Sequence, residues 1–178
     1  KELEIPELEL DWIELPTIVA SPGMPETKLD ERLYKVEKAC IRLDLEDLKC
    51  FEAVACQFQP WGVTFANAMA IHPSNPAFPP HSGSTVLIGA PKSGFLEATF
   101  SEPVRYVSAF VTSSRRAVLA GYDREGTPIA HAEIPGANLA GSDSTLSPNT
   151  QLSIRTANIY RVTVFTFDGH LTVDDFSY

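Results

Sequence analysis

Basic residues are scarce: 14 lysines and arginines against 23 aspartates and glutamates leave a formal charge of −9 over 178 residues. That balance lacks the cationic footprint nucleic acids require, so nucleic acid is not an expected partner, and anionic membranes are disfavoured for the same reason. No stretch approaches the roughly 18 consecutive apolar residues of a membrane-spanning helix. The four histidines, His72, His81, His131 and His170, are scattered and match no metal-ligand spacing. No glycine-rich phosphate loop is present. Gly141-Ser142-Asp143-Ser144 falls short of the Gly-x-Ser-x-Gly elbow that carries a hydrolase serine. Glu97, Glu102 and Glu133 would serve as glycosidase carboxylates only at a separation that sequence does not state. The chain is therefore read as a non-enzyme. Cysteine is also sparse: Cys40, Cys50 and Cys56 fall within 17 residues. An odd count permits one disulfide with one thiol left over, or three reduced thiols, and a zinc site would lack its fourth ligand.

What is present is a composition of 44% hydrophobic and 21% charged residues, enough for a packed core in about one domain. The sequence starts at Lys1 rather than Met, which leaves room for a removed signal peptide or tail. The acidity is concentrated at one end. Residues 1–52 hold 14 acidic and 7 basic side chains, whereas residues 53–178 hold 9 and 7. Within residues 1–15, Leu3, Ile5, Leu8, Leu10, Trp12 and Leu15 alternate with carboxylates, with Pro6 shifting the phase. This period of two favours an extended arm over an acidic tail. Thr27 is placed to cap a short helix through Leu29, Leu33 and Val36. We divide the chain into residues 1–47, an acidic arm with its short helix, and residues 48–178, a β domain.

Ile41, Leu43 and Leu45 read as a strand. Beyond them lies a succession of short β-like runs: 62–65, 85–88, 95–100, 104–112, 118–122, 129–134, 151–154, 159–167 and 170–178. Asp123-Arg124-Glu125-Gly126 predicts a hairpin turn, and Asp-Gly at 168–169 predicts another. Many short strands with almost no helix point to an antiparallel sandwich. Two long loops, 73–84 rich in proline and 135–150 rich in glycine, serine and asparagine, are either functional or plain crossovers.

Five motifs in order carry a resemblance: Phe51-Glu52; Gly62-Val63-Thr64-Phe65; Phe100-Ser101-Glu102-Pro103-Val104-Arg105-Tyr106-Val107-Ser108; Tyr122-Asp123-Arg124-Glu125-Gly126; and Val173-Asp174-Asp175-Phe176-Ser177. From Phe51 to Tyr178 the chain resembles the bacterial jelly-roll domains of secreted proteins, including those with PEP-CTERM sorting tails. It is similar also to the galactose-binding-like jelly rolls of calcium-containing carbohydrate-binding modules. The resemblance implies an all-β, antiparallel jelly-roll β-sandwich in an extracellular or periplasmic setting. It further implies a structural Ca2+ shared by Glu52 and by Asp174 or Asp175, since calcium takes six to eight oxygen ligands. Adjacent strand residues face opposite sides, so one aspartate should point to the ion and the other to solvent.

Sugar recognition uses aromatic platforms with a few orienting polar groups. The candidates are Trp61, Phe78 and Tyr122 with Arg115 and Arg116; Tyr106, Tyr160 and Asn138 are further possibilities. Five of them have a plainer reading: Trp61 as a core or rim residue, Tyr106 and Tyr160 as core, and Arg115-Arg116 as a solvated turn. The expected function is a non-enzymatic carbohydrate-binding module whose partner is a saccharide. The alternative is a structural or assembly subunit that docks on a protein partner through its acidic arm.

Overall fold

The computed structural model describes residues 16–23 and 39–178. The arm expected over residues 1–15 and the helix expected over 27–36 lie outside the described residues. Eleven strands follow one another: β1 Thr17–Ala20, β2 Cys40–Leu43, β3 Ala53–Val54, β4 Val63–Ala66, β5 Ala68–Ile71, β6 Val86–Gly89, β7 Phe95–Ser113, β8 Ala117–Tyr122, β9 Pro128–Ile134, β10 Thr150–Thr166 and β11 Leu171–Ser177. A single 3₁₀ turn, Gln59–Trp61, is the helical element among the described residues. No helix there is long and apolar enough to cross a membrane. The fold is an all-β, antiparallel jelly-roll sandwich.

Two strands make it so. The 19 residues of β7 and the 17 of β10 pair with each other along nearly their whole length. Both change phase midway. On β7, Leu96, Ala98 and Phe100 point inward, and after Ser101-Glu102-Pro103 the inward set becomes Val107, Ala109 and Val111. Pro103 cannot donate to a ladder, and such residues sit where a strand bends. On β10 the register slips between Arg155 and Ile159, where Asn158 takes a φ of 68°. These bulges turn both strands from one layer into the other. The gaps that sequence left between runs 95–100 and 104–112, and between 151–154 and 159–167, are these bends.

The first layer runs β3–β5–β6–β11 and then the C-terminal half of β7 with the N-terminal half of β10. The second places β4 on the N-terminal half of β7, then the C-terminal half of β10, β8 and β9. Between them Phe58, Phe65, Leu87, Leu96, Phe100, Leu119, Ile159, Val164 and Phe176 form one core. Phe176 is fully buried and meets the Phe65 ring edge-on at 5.4 Å. The β8–β9 hairpin closes as expected, with Gly126 at a φ of 82°. The Asp168-Gly169 turn does not make a hairpin: β10 and β11 lie on opposite sides of β7, so it carries the chain between layers.

The expected boundary at residues 47 and 48 does not coincide with a break in packing. β1 pairs in parallel with β2, and β2 joins β11 through Arg42 and Ser177. Ala20, Leu43 and Leu45 belong to the common core. Cys40, Cys50 and Cys56 are free thiols.

Removing the ring that both layers share, Phe176→Ala, is expected to cost about 3–5 kcal/mol of stability, read as a lowered midpoint in urea unfolding. A loss below about 1 kcal/mol would contradict the packing described.

Candidate functional site

The outer face of the second layer is a regular grid, because register sets which side chains are neighbours. Phe95 on β7, Phe165 on β10 and Val118 on β8 form one cross-strand row. Glu97, Thr163 and Ala120 form the next, and Thr99, Arg161 and Tyr122 the third. Arg161 Nη1 reaches diagonally to Glu97 Oε2 at 3.0 Å, and its guanidinium lies 4.1 Å from the centre of the Tyr122 ring. Lys92 Nζ stands 5.2 Å from the Phe95 ring centre. Both are cation–π contacts. Thr163 is 3% exposed, and its hydroxyl has no hydrogen-bond partner among the described residues.

Three connections frame this face. Asn67, at a φ of 55°, donates to the carbonyls of Lys92 and Phe95 and accepts from the Lys92 N–H, fixing the 90–94 turn. Gly94, at a φ of 73°, lets that turn approach the 166–169 turn so closely that a Cβ there would lie 2.6 Å from the Gly169 carbonyl oxygen. Ser93 Oγ bonds His170 Nδ1 at 2.7 Å, and Ser114 Oγ accepts from the His170 N–H. Loops from four strand ends are thereby locked together.

The result is two clefts sharing a wall. The larger, about 650 Å³, is lined among others by Lys92, Phe95, Tyr122, Arg161, Thr163 and His170. The smaller, about 450 Å³, is lined among others by Arg115, Arg116, Val118 and Gly136. Phe165 and Phe167 line both, and Phe167 is 82% exposed. A large apolar ring standing in water between two clefts of mixed polar and apolar lining is the uncommon feature here.

Of the sequence-derived candidates, Tyr122, Arg115 and Arg116 are brought to this face, with Arg116 paired to Glu133. Trp61 is not. Its indole N–H donates to the Ser21 carbonyl at 2.8 Å, and its own carbonyl accepts from the Tyr178 hydroxyl, so it is a strut. Phe78 sits half-buried on the 73–84 loop and lines neither cleft. Tyr106 and Tyr160 carry Arg155 and Arg124 over their rings. Asn138 is fully buried, donating to the carbonyls of Val111 and Ser147 and accepting from the Ser113 N–H. Sequence reasoning missed Lys92, Phe95, Arg161, Phe165, Phe167 and His170; the outward alternation of β10 was the available signal.

The aspartates form a different constellation. Both point at the 73–84 loop, because Asp175 takes a φ of 43° at a slip in the β11–β7 register and the alternation of sides fails there. Asp174 Oδ2 accepts from the His81 and Ser82 N–H groups at 2.7 and 3.0 Å, and its Oδ1 from the Asp175 N–H. Asp175 holds the Ser82 hydroxyl at 2.8 Å and His81 Nδ1 at 2.6 Å, while the His81 ring stacks on Phe110. Glu52 is elsewhere. It bonds the Lys49 N–H and the Gln57 amide, which hold its carboxyl below the usual range. Through Ala70 and Leu87 it stands three strand spacings from Val173, roughly 14 Å between main chains. Oxygens that all face donors, and a third ligand at that distance, do not fit the shared calcium ion the resemblance implied. Among the described residues no group of three or more His, Cys, Asp or Glu converges on a common point. The aspartates clamp a loop.

Burial pushes the Asp174 carboxyl above its ordinary 3.8, helped by the Asp175 charge and opposed by the N–H donors. A carboxyl whose pKa rises on folding takes up a proton as the chain folds, so its contribution favours the fold at low pH and is lost as pH rises through that window. Urea unfolding of the wild type and Asp174→Asn should therefore diverge against the wild type as pH rises from 3.8 towards neutrality. A difference independent of pH would contradict this.

No family model matches the chain, and no curated protein matches it. Among solved structures it is similar to the enzymatically active domain of the bacteriophage CBA120 tailspike protein 4, at 15% identity and a TM-score of 0.29. That likeness covers 76% of this chain and 24% of the tailspike chain. A likeness so shallow carries no argument about activity.

Proposed function

We propose that the protein is a non-enzymatic saccharide-binding module and that the paired clefts around Phe165 and Phe167 are its site. The supporting observation is the exposed Phe167 ring, 82% accessible, standing beside Phe165 between two clefts lined by polar groups. Pyranose rings have apolar faces and polar rims, and a site for them needs a flat apolar surface with hydrogen-bonding groups set around it. Phe165 and Phe167 supply the surface. Arg161, Tyr122 and His170 supply the rim. The assembly reading rests on residues 1–15, outside the described residues, so nothing in the fold favours it over the clefts.

The test is a panel of neutral and acidic glycans titrated at up to millimolar concentration against the full chain. Phe165→Ala and Phe167→Ala are each expected to weaken saccharide binding about tenfold, the equivalent of 1.4 kcal/mol and within the worth of a stacked ring. Phe167→Ala should leave the melting temperature unchanged, as expected for a ring already in solvent. A panel without a single binder would overturn the reading.

A further inference from the structure

The charge around the ridge runs against that of the chain. Of the nine lysines and arginines among the described residues, four line the two clefts: Lys92, Arg115, Arg116 and Arg161. Of the thirteen aspartates and glutamates, one does, Asp168. His170 adds a further donor. Glu97 and Glu133 compensate Arg161 and Arg116. Lys92 and Arg115 have no carboxylate within ion-pairing distance among the described residues. Arg115 is therefore the uncompensated cation of the smaller cleft, whereas in the larger Lys92 shares the lining with Asp168, and the aromatic ridge runs between them.

We infer that the saccharide taken by these clefts is acidic, a glycan carrying sugar carboxylates, an inference that rests on the saccharide reading above. A uronate residue stacked on Phe165 or Phe167 presents its carboxylate at the edge of the ring, where Lys92 lies on one side and Arg115 on the other. Arginine in particular matches a carboxylate with two parallel hydrogen bonds. A neutral sugar would leave Arg115 without a charged partner in the complex. The acidity of the rest of the chain does not forbid this, since charges farther than about 8 Å are largely screened at physiological ionic strength. The main chain that carries each cation is held by the fold: the Lys92 carbonyl and N–H are bound by Asn67, and the Arg115 N–H donates to Ser113 Oγ.

The experiment is isothermal titration of the full chain with polygalacturonate and with the same polymer after reduction of its carboxyl groups. The reduced polymer is expected to bind about tenfold more weakly or worse, as loss of a charge-assisted pair implies. The double variant Lys92→Ala/Arg115→Ala, both exposed positions, should bind the two polymers alike and melt as the wild type does. Equal binding of both polymers by the wild type would overturn the acidic inference and leave the saccharide reading standing. Polygalacturonate binding that survives the double variant, or the pair Phe165→Ala/Phe167→Ala, would place the anion elsewhere and overturn it as well. If neither polymer binds, the acidic inference falls; the saccharide reading falls only if the wider glycan panel is also empty.

Discussion

The pairing of β7 with β10 is the constraint on which the rest of the molecule depends. These two strands run through both layers, and every other sheet element except the β1–β2 and β3–β5–β6 flank and the edge strand β9 is laid directly against one of them. Because they bend together, at Ser101–Pro103 on one and Ala157–Ile159 on the other, the inward residues of each half meet across a single core. A flat ladder of the same sequence would put half of those apolar side chains in water, since a slip of one residue exchanges the faces of a strand.

The bends also set where polar chemistry goes. In the first layer the outer face is roofed by the 73–84 loop, which Asp174 and Asp175 hold through His81 and Ser82, with Asn149 holding the Pro79 carbonyl. Two adjacent carboxylates are tolerable there because each oxygen meets a donor, which offsets part of the cost of desolvation and of like charge. In the second layer no loop among the described residues covers the outer face. Its side chains therefore solve exposure among themselves, with Arg161 over Tyr122 and Lys92 over Phe95. Phe165 and Phe167 are left as the uncovered apolar surface.

The two faces thus divide the work between holding the fold and meeting a ligand. Residues that sequence alone nominated for the second role because of their chemistry, such as Trp61 and Asn138, turn out to serve the first. Their hydrogen bonds are spent on main chain distant in sequence, Ser21 for the indole and Val111 for the amide. Lys92 and Phe167, unremarkable in sequence, sit where three turns converge, and that convergence is a property of the ladder registers.

The sequence by itself determined that the chain is all-β and where most strands lie, because alternation and proline act over a few residues and are read locally; that 95–100 and 104–112, and 151–154 and 159–167, are halves of two continuous bent strands was decided by their pairing. It determined the β8–β9 hairpin through Gly126 in the same way. It could not determine that Asp168-Gly169 joins two layers instead of closing a hairpin, because that depends on β7 lying between β10 and β11. Nor could it show that Asp174 and Asp175 face one side, which follows from a left-handed residue at a bulge, or that Glu52 stands three strands away from them. The pairing of Arg115 with the Phe165–Phe167 ridge, and of that ridge with Lys92, was decided by tertiary structure alone. Residues tens of positions apart become neighbours only when strand register is set, and register is a property of the assembled sheet.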